Sequence, residues 1–214
     1  MSKKEILKLM VGFRRFRDKY FANEHHLYQK LASGAGQAPK TLIIGCSDSR
    51  VDPAIITSAS PGELFVVRNV ANLVPPFDPN GGVHGVSSAI EFAVVNLNVD
   101  TVIVLGHRQC GGIRALVLNE TTQANTFVHQ WVRIAQDAKN RVMLSHPGAD
   151  VETLCRHTEL ESIVTSLNNL RTFPFVRQAI AERNLVLLGI YFDLESGQLL
   201  EFDEEIKGFK NIAL

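Results

Sequence analysis

Residues Thr101–Gly112 read TVIVLGHRQCGG, and this segment carries the main evidence for the fold. Its first half is a short, continuous apolar run, which is typical of a strand that is buried on both faces. Its second half places His107 and Cys110 directly after that strand, followed by two glycines. Chemically active residues that follow a buried strand predict a parallel sheet with a functional site at its carboxyl edge.

Similar apolar runs lie on both sides of this segment in the chain. The predicted strands are Thr41–Cys46, Glu63–Asn69, Thr101–Gly106 and Leu185–Phe192, with Gln198–Phe202 as an edge hairpin strand. Helical patterns separate them at Val86–Leu97, 110–119, 127–144, 150–169 and 173–183. This alternation predicts an α/β fold in which a mostly parallel central sheet is flanked by helices.

The N-terminal segment 1–33 has apolar residues at helical spacing and predicts a helical arm. It contains eight Lys/Arg residues against three acidic ones, so it is a basic amphipathic segment. Such a helix either lies on an anionic membrane or packs on a core or a partner subunit, and we favour the packing arm. With 34–214 as the α/β core, residues 1–214 are expected to form a single domain.

Composition excludes several classes of partner and location. The 22 basic and 22 acidic residues cancel, which argues against nucleic acid as the main partner. The chain contains no apolar run long enough for a membrane span, so we expect no membrane partner. Three cysteines do not make a disulfide framework and instead predict free thiols in a reducing compartment, the cytoplasm.

A second polar segment, Cys46-Ser47-Asp48-Ser49-Arg50, follows the strand Thr41–Cys46. Two strand ends therefore supply Cys46, His107 and Cys110, and two thiolates with one imidazole suit zinc. Three protein ligands leave a fourth position open, as in catalytic zinc sites. Asp48 and Arg50 are expected to form a charge-assisted pair beside the metal, unless Asp48 itself fills the open position and silences the site.

An alternative from the residues alone is thiol chemistry without a metal. Cys46 can act as a nucleophile with His107 as its base, but Cys110 is then left without a role. A redox protein that uses Cys46 and Cys110 is the other metal-free alternative. Phosphate-loop, dinucleotide and nucleophile-elbow motifs are absent from the sequence.

Three motifs together resemble those of a β-class carbonic anhydrase: CSDSR at 46–50, RNVAN at 68–72 and GHRQCGG at 106–112. The resemblance is most specific from about Gln37 to Leu116. It implies zinc-dependent, reversible hydration of CO₂ to bicarbonate and a proton by zinc-bound hydroxide, with one Zn²⁺ per chain. In this family the zinc ligands match Cys46, His107 and Cys110, and the catalytic pair matches Asp48 and Arg50.

The resemblance extends to substrate-binding positions of plant-like members. These positions are Gln37, Phe65, Val70, Phe92 and Gly111. The resemblance implies an apolar pocket, an anion-binding N–H on Gly111, and a homodimer or dimer of dimers in which Gln37 serves the partner's site. A bicarbonate-inhibited subgroup carries a Trp, a Tyr on the late strand and the Arg of the RNVAN motif. This chain has Arg68 and, near the late strand, Tyr191, but Ile43 stands at the Trp position, so we expect weak or no bicarbonate inhibition.

The same motifs are compatible with two alternative functions. The scaffold can hydrolyse CS₂ or COS, which are linear triatomic molecules like CO₂, or it can be a catalytically silent zinc protein with a regulatory or interaction role. His84 is interpreted as a surface or loop histidine, with a proton shuttle at the pocket entrance as the alternative. Cys155 is interpreted as a structural thiol, and Trp131 as a core or interface residue.

Overall fold

The computed structural model describes residues 3–21, 27–34, 36–120 and 126–212. The chain divides into two compact units, Met1–Ala38 and Pro39–Leu214. In the first unit, helix α1 spans Lys3–Phe21 and helix α2 spans Leu27–Ser33. The predicted N-terminal helix is confirmed for these two ranges, whereas residues 22–26 lie outside the described part of the chain.

Aromatic contacts join the two helices of the first unit. Phe16, Tyr20 and Phe21 of α1 each contact Tyr28 of α2, with ring centroids 5.2, 5.6 and 5.3 Å apart. No described residue of α1 is buried, and Phe13 keeps 60% of its surface exposed. The helix therefore presents an apolar surface between its basic residues.

The second unit is built around one six-stranded sheet. Its strands are β1 Thr41–Cys46, β2 Leu64–Asn69, β3 Thr101–His107, β4 Val186–Phe192, β5 Leu199–Asp203 and β6 Gly208–Asn211. Its helices are α3 Pro53–Thr57, α4 Gly85–Glu91, α5 Gly111–Val117, α6 Phe127–Val132, α7 Gln136–Ser145, α8 Val151–Leu170 and α9 Pro174–Arg183. None of the described helices combines the length and apolar composition needed to cross a bilayer.

The strand order is β2-β1-β3-β4-β5-β6. Strands β1 to β4 are parallel, and β5 and β6 add an antiparallel edge. The predicted mostly parallel α/β fold is therefore confirmed, with a mixed sheet. Because β1 and β3 are adjacent and parallel, their carboxyl ends bring Cys46 and His107 to the same edge of the sheet.

Two elements were not predicted from the sequence. Helix α3 begins after Asp52, whose side chain accepts a hydrogen bond from the backbone N–H of Ala54 at 3.0 Å, and Pro53 occupies its first turn. An aspartate followed by proline is a recognised helix start, so this signal was available. The short edge strand β6 was also missed, and the predicted helix 127–144 is divided into α6 and α7 by a 3₁₀ turn at Arg133–Ala135.

Helix α8 packs closely on the sheet at two glycines. A Cβ atom on Gly106 of β3 would lie 2.6 Å from Ile163 Cδ1, and one on Gly189 of β4 would lie 2.8 Å from Ile163 Cγ2. Both distances are shorter than a real carbon–carbon contact. The absence of side chains at these positions therefore lets α8 approach β3 and β4 next to the carboxyl edge.

Candidate metal centre and active site

The three predicted metal ligands lie together at the carboxyl edge of the sheet. Cys46 is the last residue of β1, His107 is the last residue of β3, and Cys110 immediately precedes α5. Their ligand atoms all lie within 4.8 Å of one another, and the two sulfur atoms are 4.0 Å apart. All three side chains are buried, so this cluster is a compact set of donors shielded from solvent.

The histidine of this cluster is arranged to accept a cation. His107 Nδ1 lies 2.8 Å from the backbone oxygen of Arg108, a contact in which the ring nitrogen is the donor. The proton then sits on Nδ1, which leaves Nε2 as an acceptor. Nε2 is buried and has no hydrogen-bond partner among the described residues. An orphaned imidazole nitrogen beside two thiols fits zinc, because nitrogen and sulfur are its preferred ligands.

The two thiols differ in how readily they ionise. The hydrogen bond from Cys110 lowers the pKa of the Cys46 thiol, against the opposing effect of burial. The same contact, together with burial, raises the pKa of Cys110 well above its usual value. One thiolate is thus favoured by the protein alone, and the second ionises when a positive charge compensates it.

The predicted pair of Asp48 and Arg50 is present beside this cluster. Arg50 Nε donates to Asp48 Oδ1 at 3.0 Å, and an Arg50 Nη donates to Oδ2 at 2.8 Å. The Asp48 carboxylate also accepts the Arg50 backbone N–H at 3.0 Å. These bonds from Arg50 hold the pKa of Asp48 well below its usual range, so this carboxylate is anionic at neutral pH.

Arg68 supports the first loop, a role that the sequence reasoning did not assign. Its guanidinium donates to the backbone oxygens of Cys46 at 2.9 Å and Asp48 at 2.6 Å. It also forms an ion pair with Asp52 at 2.9 Å. Arg68 therefore links β2 to the backbone of the CSDSR segment at Cys46 and Asp48.

Gln109 supports the second loop in an unusual backbone conformation. Its φ of 59° lies in the left-handed region, which non-glycine residues seldom adopt. This conformation presents the Gln109 backbone oxygen to an Arg50 Nη at 3.1 Å. The His107–Cys110 loop and the Asp48–Arg50 pair are therefore joined directly.

The predicted pocket residues fall into separate places. Phe65 and Phe92 are in ring contact, with centroids 6.0 Å apart. Val70 packs on the first turn of α5, since a Cβ atom on Gly112 would lie 2.7 Å from Val70 Cγ1. Gly111 is the first residue of α5, where helices leave their N–H groups without an internal acceptor.

Val70 also lines an open, mainly apolar groove of about 800 Å³. His84 and Trp131 line the same groove, and Trp131 Nε1 donates to the backbone oxygen of Val70 at 2.7 Å. Phe127 on its rim is 95% exposed.

Gln37 belongs to the N-terminal unit. Outside the groove, Cys155 is buried, and burial raises the pKa of its thiol, which fits a structural role.

The fold and the three-ligand site are typical of metal-dependent α/β enzymes, and comparisons with known proteins specify the class. A family model described as "Carbonic anhydrase" matches residues 41–199. A carbonic anhydrase of Synechococcus elongatus is 37% identical over 195 residues, which cover 91% of this chain and 70% of that protein.

Solved structures give the same result and specify the β class. The β-carbonic anhydrase CcaA is 33% identical, with a TM-score of 0.89 over 97% of this chain and 100% of that chain. A structure from a study of two tetrameric β-carbonic anhydrases of Sordaria macrospora is 28% identical, with a TM-score of 0.78 over 98% of both chains. This chain belongs to the β-carbonic anhydrase family, and it is an enzyme that catalyses the hydration of CO₂.

Proposed function

We propose that this enzyme hydrates CO₂ reversibly with one zinc ion held by Cys46, His107 and Cys110. The observation that carries the proposal is the buried, unpartnered Nε2 of His107 within 4.8 Å of two thiols. When bound there, zinc supplies the Lewis acidity that ionises water near neutral pH. The chain's own residues then orient the reactants.

Asp48 is proposed to orient the attacking oxygen by accepting a hydrogen bond from it. Arg50 binds both oxygens of the Asp48 carboxylate, so it keeps this group ionised and holds it in one orientation. The same bonds would keep the Asp48 carboxylate from turning to bind a cation held by the three ligands. Arg50 is in turn held by the Gln109 backbone oxygen, so the pair has a defined position relative to the second loop.

The substrate contacts are proposed from the family resemblance. Phe65, Val70 and Phe92 form the apolar wall against CO₂, and the Gly111 N–H and Gln37 hold the bicarbonate product. The contact between Phe65 and Phe92 and the packing of Val70 on Gly112 support the wall. The position of Gly111 as the first residue of α5 supports the anion contact, since N–H groups at a helix start have no intrahelical acceptor and favour negative charge.

The assembly is proposed to be a homodimer or a dimer of dimers, with Gln37 serving the partner's site. The tetrameric Sordaria relatives support this proposal. Residues 1–214 are proposed to act as one domain, with 1–33 as the helical arm and 34–214 as the core. The three cysteines are free and buried, which supports a reducing compartment, and we propose the cytoplasm.

We also propose that the enzyme belongs to the plant-like subgroup, without a non-catalytic bicarbonate site. Ile43 stands in place of the Trp of the inhibited subgroup and is buried in β1. The Tyr191 hydroxyl donates to Glu159 at 2.8 Å, and Arg68 is bonded to the CSDSR loop. These groups are therefore committed to internal contacts.

Bicarbonate is accordingly expected to inhibit only as a reaction product. Initial rates of CO₂ hydration near neutral pH should fall hyperbolically as bicarbonate is raised, because only the catalytic site binds it. Stopped-flow rates over a bicarbonate series, with chloride at matched ionic strength as the control, measure this. A steep, sigmoidal loss of activity would place the enzyme in the inhibited subgroup instead.

Metal removal is the experiment that tests the proposed function. Dialysis against a zinc chelator should abolish CO₂ hydration, and stoichiometric zinc should restore it whereas magnesium should not, because thiolates are poor ligands for magnesium. Restored activity toward CS₂ or COS without CO₂ hydration would favour the hydrolase alternative. Bound zinc without any of these activities would favour a silent regulatory protein.

A further inference from the structure

We propose that Glu159 is a positioning residue for the metal ligand Cys110, an assignment that rests on the proposed zinc site. Glu159 Oε1 accepts the backbone N–H of Cys110 at 2.9 Å, and Oε2 accepts the Tyr191 hydroxyl at 2.8 Å. Glu159 is only 3% exposed, and Tyr191 is fully buried. A buried carboxylate thus joins helix α8, strand β4 and the metal-binding loop.

The close packing of α8 explains how this carboxylate reaches the loop. Ile163 lies one helical turn after Glu159, so the two side chains share a face of α8. Ile163 is the residue that fills the space above Gly106 and Gly189. The glycines therefore let α8 lie near the sheet edge, and Glu159 extends from the same face to Cys110.

The backbone of Cys110 needs an acceptor from elsewhere in the fold. Cys110 is the N-cap of α5, and the N–H groups at a helix start have no intrahelical partner. The preceding residue, Gln109, has a left-handed backbone, which persists only where surrounding contacts maintain it. The bond to Glu159 holds the ligand at the junction of these two segments.

Glu159 acts here as a hydrogen-bond acceptor. Substitutions of similar size can therefore separate this role from the space that its side chain fills. In Glu159→Gln, the amide oxygen can accept the Cys110 N–H, and the amide NH₂ can donate to the Tyr191 oxygen. In Glu159→Leu, a side chain of similar size offers no acceptor to either donor. The first variant should therefore preserve the position of Cys110, and the second should not.

Metal affinity and the spectrum of the cobalt-substituted protein are the readouts. Removal of a group that orients a metal ligand typically lowers metal affinity by about 10–100-fold. We expect a decrease in this range for the zinc affinity of Glu159→Leu, measured by competition with a chelator. Its cobalt–thiolate charge-transfer band should also change in intensity. Glu159→Gln should match the wild type, and Tyr191→Phe should show a smaller loss in the same direction.

Glu161→Leu is the matched control, because Glu161 lies on the same helix and bonds instead to Arg141 of α7 at 3.1 Å. It should leave metal affinity and the cobalt band unchanged. Wild-type affinity in Glu159→Leu, or equal losses in the Gln and Leu variants, would overturn the assignment. If Glu159→Leu does not fold, Tyr191→Phe decides instead: wild-type metal affinity and a wild-type cobalt band in that variant would overturn the assignment. A wild type that takes up no metal would instead refute the proposed zinc site, and this assignment with it.

Discussion

Replacement of Cys46 by alanine is expected to remove the zinc ion and all measurable CO₂ hydration. Cys46 supplies one of three buried donors, and its sulfur is 4.0 Å from that of Cys110. Zinc binding in protein sites that supply four ligands contributes about 10–16 kcal/mol, so one ligand of three accounts for a large share of the affinity. No other described cysteine can replace it, because Cys155 is not part of the cluster.

The measurement is zinc per chain by elemental analysis after dialysis, with CO₂ hydration assayed on the same sample. Cys155→Ala is the matched control, since it removes a buried thiol that is not a ligand. It should keep its zinc and its activity. Stoichiometric zinc in Cys46→Ala would show that the assigned ligand set is wrong.

Replacement of Asp48 by alanine is expected to abolish most turnover while zinc remains bound. Positioned acid–base groups contribute about 10²–10⁴-fold to rates, and we expect a loss of kcat within this range. The metal should stay because the backbone N–H of Asp48, which lies 3.5 Å from the Cys46 sulfur, is kept in the variant. Asp48→Asn should lose a similar factor, because its NH₂ cannot accept the Arg50 hydrogen bonds.

Stopped-flow kcat and zinc content, measured together, separate catalysis from metal binding. Asp100→Asn is the control, because Asp100 forms an exposed ion pair with Lys40 at 3.5 Å. It should match the wild type in both measurements. Wild-type kcat in Asp48→Ala would remove Asp48 from the mechanism, and loss of zinc in that variant would make its role structural.

The sequence predicts the site well where local pattern and topology act together. Thr41–Cys46 was predicted as β1 with its observed bounds, and the β3 prediction ended one residue before His107. Because the two strands are parallel and adjacent, their final residues lie side by side at one edge of the sheet. These two facts bring Cys46 and His107 together, and the spacing of three residues from His107 keeps Cys110 close to both.

The supporting contacts could not be predicted in the same way. Glu159 lies 49 residues from Cys110 in the chain, and a glutamate in a helical pattern gives no signal that it is buried. The left-handed backbone of Gln109 depends on contacts that the fold supplies. Arg68 had a partial signal in the RNVAN motif, but its partners Cys46 and Asp48 follow only from the pairing of β1 with β2.

The proposed mechanism requires a zinc ion and an active Asp48–Arg50 pair in the same molecule. Stopped-flow CO₂ hydration near neutral pH, on dialysed protein whose zinc content is measured in parallel, tests both. We predict close to one zinc per chain and rapid hydration that scales with zinc content across partially loaded samples. Absence of zinc from an active enzyme, or full zinc occupancy without hydration, would contradict this mechanism.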